Sequence, residues 1–348
     1  MKSLFDKTTI KNMDLKNRFV RSATWEGLAN DDSHINDKIM EVYENLAHGN
    51  VGLIITSYAH ILKDEQPTRN MLGIYDDSFI SEYKNLVSKV HSYSSKIMMQ
   101  IVYGGSNTLY NVNGRAILGP SSVPHISRNT TPCEMTKEDI KMIINAFADA
   151  SLRCKDAGFD GVQIHGAHGY LLSQFLDPYH NRRTDEYGGS INNRARIIIE
   201  VYNAIREKVG NDYHIGIKIN CSDFRDSGAN FDDCKYVVKE LDRFGIDSVE
   251  ISGGNFRGFK GESYFKDYAS EISSIISAPV LLVGGNRTFE SMNSILNSTN
   301  IDYFSICRPL ICEPDLINNL KEDTNYKHKC VECNKCMSSE HLCILHSL

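Results

Sequence analysis

The sequence predicts an α/β fold, a (β/α)8 TIM barrel with an N-terminal hairpin and a short cysteine-rich C-terminal tail. Three observations carry this. Short β-branched or apolar runs alternate with longer helical patterns along nearly the whole chain, the signature of β-α units around a parallel sheet. Eight such units can be traced, the number that closes as a barrel. No G-x-G-x-x-G follows the first strand, as a doubly wound nucleotide-binding sheet would favour.

Taken in order, the elements begin with SLFDKTTIKNMDLKN, whose Asn-Met-Asp turn suggests a small hairpin plugging the barrel's N-terminal end. The strands that follow are NRFVRSA (17–23), VGLIITSYA (51–59), KIMMQIVY (96–103), GVQIHGA (161–167), HIGIKINC (214–221), SVEISGG (248–254), PVLLVGG (279–285) and YFSICRP (303–309). Each gives way to a polar or glycine-containing loop. The intervening helices have recognisable ends. Thr136 precedes the stripe Ile140, Ile143, Ile144 and Phe147, and Gly158 follows it. Ser190 opens INNRARIIIEVYNAIREKVG, which Gly210 closes. The barrel is expected over residues 1–320 and the tail over 321–348, with no internal repeat beyond the β-α period and no low-complexity linker.

With 348 residues, 41% of them apolar and 24% charged, the composition is that of an ordinary globular protein. A net charge of -6 argues against general nucleic-acid or anionic-membrane binding, so any phosphate site must be local. No apolar run exceeds strand length, and the N-terminus lacks a signal-peptide stretch. A cytoplasmic protein without membrane spans is expected. Of ten cysteines, six are scattered, consistent with reduced thiols. The other four, Cys330, Cys333, Cys336 and Cys343, form C-x2-C-x2-C-x6-C, a spacing suited to zinc or an iron-sulfur cluster such as 4Fe-4S.

In such barrels the chemistry gathers at the C-terminal ends of the strands. GVQIHGAHGYLLSQF (161–175) lies at one of them and presents His165, His168 and Tyr170. Spacing alone leaves three readings of the histidines: metal ligands, an inert structural pair, or hydrogen-bond donors to a bound molecule. A catalytic zinc would need a third ligand, and no nearby H-E-x-x-H or carboxylate pattern supplies one. Strands seven and eight end in VGGNRT and SICRP, where glycine backbones and Arg308 suit a phosphate. Gln100 and Lys218 stand in mostly apolar strands. An amide matches the edge of a heterocycle and an ammonium matches an anionic one. Together with the phosphate loops they describe a place for a flavin.

Over roughly residues 3–320 the chain resembles the old yellow enzyme family of FMN-dependent NADH:flavin oxidoreductases and ene-reductases. The segments that carry the resemblance include LKNRFVRSATWEG, MQIVYGG, HGAHGYLLSQFLDPYHNRRTDEYGGSINNRARIIIEV, GIKIN, VEISGG, LLVGGN and SICRPLICEPDL. The resemblance implies FMN as cofactor and NAD(P)H as reductant. It places Ala23, Thr24 and Tyr58 against the flavin, Gln100 on its pyrimidine edge and Lys218 at its anionic locus. It assigns the phosphate to Gly253, Gly254, Gly284, Gly285, Asn286 and Arg308. His165 and His168 would bind a substrate carbonyl, and Tyr170 would supply a proton. Trp25 departs from the pattern, since well-known members carry a small polar residue or cysteine there, and it is counted on the substrate side. The cysteine tail looks like the start of the iron-sulfur segment of larger relatives such as 2,4-dienoyl-CoA reductase and trimethylamine dehydrogenase, with more compact spacing.

The implied activity is reduction of the activated C=C bond of a small enone-type substrate, with no nucleic-acid or membrane partner and self-association left open. Two alternatives stay in view. A flavin-dependent amine dehydrogenase of the trimethylamine branch would favour an aromatic cage for a cation over a His pair with a tyrosine. A flavin-binding redox sensor would use the tail as a docking segment.

Overall fold

The structure is a computed structural model that describes residues 1–110, 115–128, 130–254, 258–337, 343 and 345. It opens with an antiparallel hairpin of β1 (Thr8–Ile10) and β2 (Met13–Leu15). Ile10 pairs with Met13, so the turn is Lys11–Asn12 rather than the expected Asn-Met-Asp. Lys11 takes φ 48°, the left-handed conformation that tight hairpin turns demand at their first central residue. Ile10, Met13 and Leu15 pack with Val20, Leu53, Ile55, Met98, Leu281 and Tyr303 in one buried cluster. These partners sit in the N-terminal halves of their strands, so the hairpin plugs that end of the barrel.

The barrel strands are β3 (Phe19–Arg21), β4 (Leu53–His60), β6 (Lys96–Val102), β9 (Gly161–Gly166), β10 (His214–Asn220), β11 (Ser248–Ser252), β12 (Val280–Val283) and β13 (Tyr303–Ile306). All eight expected strands are present and parallel, and β3 pairs with both β4 and β13, which closes the ring. Three short strands had no periodic signal to announce them. β5 (Leu72–Gly73) adds to β4, while β7 (Leu118–Gly119) and β8 (Cys133–Glu134) pair within the long connection after β6.

Around the sheet lie α1 (Asp37–His48), α2 (Phe79–His91), α3 (Lys137–Asp156), α4 (Leu171–Leu176), α5 (Ile191–Arg194), α6 (Arg196–Val209), α7 (Phe231–Phe244), α8 (Lys266–Ile275), α9 (Phe289–Ser298), α10 (Arg308–Cys312) and α11 (Leu316–Glu322). The cap of α3 is as its sequence implies: Thr136 accepts from the Asp139 N–H and the Asp139 carboxylate accepts from the Thr136 N–H. Ile140, Ile143, Phe147, Ala150 and Cys154 bury its inner face, and Ile144 packs at the edge. Each fully buried Ile or Phe side chain among these contributes about 1.5–3 kcal/mol. The single helix expected after Ser190 runs as two, α5 and α6, on either side of Ala195. The last of the set, α11, passes the expected barrel boundary by two residues, to Glu322. Among the described residues no helix is long and apolar enough to cross a membrane.

Candidate active site

The two-residue period of a strand points alternate side chains into the barrel, and parallel register sets them side by side. Gln100 stands beside Gln163, His165 beside Lys218, and Lys218 beside Glu250. These groups form one buried chain of hydrogen bonds. Gln100 Nε2 donates to Gln163 Oε1 at 2.7 Å, and Gln163 Nε2 donates to Glu250 Oε2 at 2.9 Å. Ser22 Oγ donates to Glu250 Oε1 at 2.6 Å while accepting from Lys218 Nζ at 2.7 Å. Lys218 Nζ lies 3.4 Å from Glu250 Oε2. Ser22, Gln163 and Glu250 escaped sequence reasoning. A carboxylate centred in the apolar strand SVEIS was the available signal.

At the end of β9 the chain turns through two consecutive left-handed residues, His168 (φ 58°) and Gly169 (φ 73°). A non-glycine residue in this region costs about 1 kcal/mol or more and is held by its surroundings. Here the His168 N–H donates to Asn220 Oδ1 at 3.3 Å, and its Nε2 lies 2.8 Å from Ser252 Oγ. The turn brings the His168 ring edge-on to His165, with centroids 5.2 Å apart. His165 Nδ1 accepts from the Ala167 N–H at 3.4 Å, so its ring proton is on Nε2. Burial, the neighbouring His168 and Lys218 hold His165 well below the usual imidazole range, and burial with Lys218 holds His168 down to about 3. Both rings are therefore neutral at physiological pH.

Tyr170 completes the group. Its ring lies 4.8 Å from His165 and 5.4 Å from Tyr58. The pairing of β4 with β6 shifts register between Ile55 and Tyr58, which sets Tyr58 opposite Gln100. Met71, Val102 and Tyr170 form a small apolar cluster against which Trp25 and Tyr58 pack. Ala23 rests on the cluster above the hairpin plug, and Thr24 Oγ1 donates to the Ser22 carbonyl at 3.0 Å. The neighbouring sequence positions Ala23, Thr24 and Trp25 thus run from the barrel interior to the aromatic side of the mouth.

The phosphate candidates divide. Gly284 (φ 107°) and Gly285 (φ 76°) need glycine conformation, and a Cβ on Gly284 would stand 2.5 Å from the Tyr264 ring. Gly253 is equally tight against Phe265. The Gly254 N–H donates to the Ser222 carbonyl at 2.9 Å and is already committed. The Asn286 side chain donates to the carbonyls of Leu282 and Ser305 and accepts from Ser263 Oγ, bracing the loop against both strands. Arg308 opens α10 and donates from Nη1 to Asn334 Oδ1 of the tail at 2.7 Å. An amide, an ammonium and a guanidinium around side-chain-free loops are a donor set that fits FMN.

The tail metal expectation is not supported. Cys330, Cys333, Cys336 and Cys343 line one cavity, but they share it with Arg308, Val331, Glu332, Asn334 and Leu345. Among the described residues, no three His, Cys, Asp or Glu side chains stand where one metal ion would hold them. The tail is instead fastened to the barrel by polar contacts of Arg308 with Asn334, Arg287 with Glu332 and Tyr326 with Glu313.

Comparison with known proteins agrees with this architecture. The chain is 34% identical over 345 residues to an NADH oxidase of Thermoanaerobacter brockii, matching 95% of this chain and 53% of that one. It therefore spans about half the length of that relative. It is 34% identical over 319 residues to an NADPH dehydrogenase of Clostridium acetobutylicum, matching 89% of this chain and 92% of that one. Among solved structures, morphinone reductase superposes with a TM-score of 0.83 at 24% identity, over 94% of this chain and 92% of that one, a likeness of fold. Residues 3–327 match the NADH:flavin oxidoreductase / NADH oxidase family, and the chain belongs to that family.

Proposed function

We propose that this chain is an FMN-dependent oxidoreductase that uses NAD(P)H to reduce the activated C=C bond of an α,β-unsaturated carbonyl compound. The observation that carries the reading is the convergence of neutral His165 and His168 with Tyr170 beside the buried Gln100 and Lys218. Bound FMN supplies hydride transfer between the nicotinamide and the substrate. Gln100 and Lys218 hold the polar edge of its ring system, with Ala23, Thr24 and Tyr58 against it. The backbones of Gly253, Gly284, Gly285 and Asn286, with Arg308, hold its phosphate.

The chain's own groups do the rest. His165, through Nε2–H, and His168 donate to the carbonyl oxygen and stabilise the negative charge that develops there. For His168 to donate from Nδ1, the Ser252 hydroxyl must give its proton to Nε2. Tyr170 delivers a proton to the α-carbon, its ring fixed between His165 and Tyr58. Trp25, with Met71 and Val102, bounds the substrate space and keeps water out.

The test separates cofactor from chemistry. Protein loaded with FMN, but not with FAD, should be reduced by NAD(P)H and re-oxidised by cyclohexenone. Tyr170→Phe should slow the enone half-reaction by on the order of 100- to 10,000-fold, far more than the nicotinamide half-reaction. Equal slowing of both, or none, removes the role of Tyr170. Trp25, Tyr58 and Tyr170 also offer the aromatic surface a cationic amine needs, so the same protein is assayed with alkylamines as electron donors. Amine-driven reduction in the absence of enone turnover would favour the amine dehydrogenase reading.

A further inference from the structure

Three loops meet around His125, which lies beside Gly169, the residue between His168 and Tyr170. The connection after β6 brings His125, whose Nε2 lies 3.7 Å from where a Cβ on Gly169 would be. His125 Nδ1 accepts from the Ser127 N–H at 3.2 Å, so the ring proton sits on Nε2, the nitrogen that faces Gly169. The loop after α4 brings Asp177, Tyr179 and His180, and the loop after β10 brings Arg225. The His180 and His125 rings lie 5.2 Å apart. Asp177 holds His180 Nδ1, and His180 Nε2 is buried with no hydrogen-bond partner among the described residues. The His180 side chain is 6% exposed. A buried polar atom left in this state is destabilising, a loss that a ligand group would recover.

Charge selects the ligand. Asp177 is shared between His180 and Arg225, and Arg225 also faces Asp223 at 3.6 Å. Arg225 and Arg182 both lie over the Tyr179 ring, at 5.5 and 5.8 Å. Arg182 and Arg128 make no ion pair among the described residues; their Nε atoms donate to the Tyr179 carbonyl and to Asn107 Oδ1. Three guanidinium groups therefore outnumber two carboxylates. Burial and Asp177 push the Asp223 carboxyl up from its ordinary value. Burial, then His180, Arg128 and Arg225, hold His125 down to about 4, a sign of the positive surroundings.

We infer that this rim is a second subsite for a carboxylate carried by the substrate, which makes the preferred substrates unsaturated carbonyl compounds with an added acid group. The activated carbonyl lies between His165 and His168. The carboxylate lies over Gly169, taking the Nε2–H of His125 and facing the unpartnered Nε2 of His180, with the Arg128 guanidinium beside His125 supplying positive charge. This inference rests on the alkene-reduction reading and adds the substrate class.

The test uses FMN-loaded protein and two matched sets of probes. Dissociation constants for 3- and 4-hydroxybenzoate and their methyl esters are read from the flavin absorption band. Values of kcat/KM are measured for a carboxylate-bearing cyclohexenone and its methyl ester. The acid should be preferred by on the order of tenfold or more in both measurements, the scale of a charge-assisted hydrogen bond. The acid-to-ester ratio should fall toward one in His125→Ala and in Arg128→Ala, where neither side chain is part of the folded core. His180→Gln should lower it too, and if that variant misfolds the other two still decide. A wild-type ratio at or below one, or a ratio that survives both His125→Ala and Arg128→Ala, overturns the subsite. Reduction of acid and ester alike with equal efficiency sinks the subsite and leaves the alkene reading standing. Preferential binding of the acids with no reduction of either enone does the reverse.

Discussion

Replacing Glu250 by glutamine tests the polar floor of the barrel most directly. The substitution keeps the shape and a hydrogen-bonding amide but removes the charge that faces Lys218, and the two side chains are 0% and 4% exposed. A buried cation deprived of its counter-charge typically costs about 3–5 kcal/mol. At ~2.1 cal/mol/K of unfolding entropy per residue, a chain of 348 residues melts with about 0.7 kcal/mol/K, so the expected fall in Tm is about 4–7 °C. Thermal denaturation followed by circular dichroism, on the FMN-free protein, measures it. Lys218→Met in the Glu250→Gln background removes the stranded charge and should recover a large part of the loss, a coupling that a double-mutant cycle isolates. If Glu250→Gln melts within about 1 °C of wild type, or if the two substitutions simply add, Lys218 does not depend on Glu250.

Two further changes probe the loop and the histidine. Glu65 accepts from the Gly104 N–H at 2.9 Å and from Thr108, and burial pushes its carboxyl up from 4.5 to about 8. The folded state then keeps a proton that the unfolded chain has released, so stability falls as pH rises between about 4.5 and 8. Glu65→Gln should remove a slope of about 1.4 kcal/mol per pH unit in that window. Urea unfolding across the window checks this, and parallel wild-type and variant profiles would contradict it. Ser252→Ala, which frees His168 to take the other tautomer, should slow enone turnover by on the order of tenfold, with Ser252→Thr restoring it. Unchanged kcat/KM in Ser252→Ala would mean that Ser252 does not set the proton on His168.

The β-α alternation made the barrel legible because each strand is buried on both faces and reads as an apolar run, and each helix carries a one-sided stripe. What escaped were features with no period. The two-residue strands β5, β7 and β8 are too short to repeat, and Ala195 divides α5 from α6 without any glycine or proline to announce it. The hairpin turn was misplaced by one residue for a related reason: Asn12 and Asp14 are turn-formers by type, yet the apolar alternation of Ile10, Met13 and Leu15 sets the register.

The site splits along the same line. Gln100 and Lys218 stood out as polar residues in apolar strands, and Glu250 and Gln163 carried the same mark, but only the strand order reveals that all four join in one chain. His165 and His168 were visible as a pair; that the second ring can meet the first depends on a left-handed turn which histidine adopts at a cost. His125 and His180 lie in loops some fifty residues apart and share no pattern, so their approach over Gly169 belongs to the folded chain alone. The strands that form the floor of the mouth carry the groups proposed to hold a flavin and a carbonyl, whereas the loops at its rim bring together the groups proposed to discriminate among substrates. Chemistry held on strands leaves a periodic trace in a sequence. Selectivity held on loops is expressed only when distant segments meet, which is why polar residues in apolar strands pointed to a flavin site, whereas the reaction class came only with the family resemblance and the proposed carboxylate subsite only with the fold.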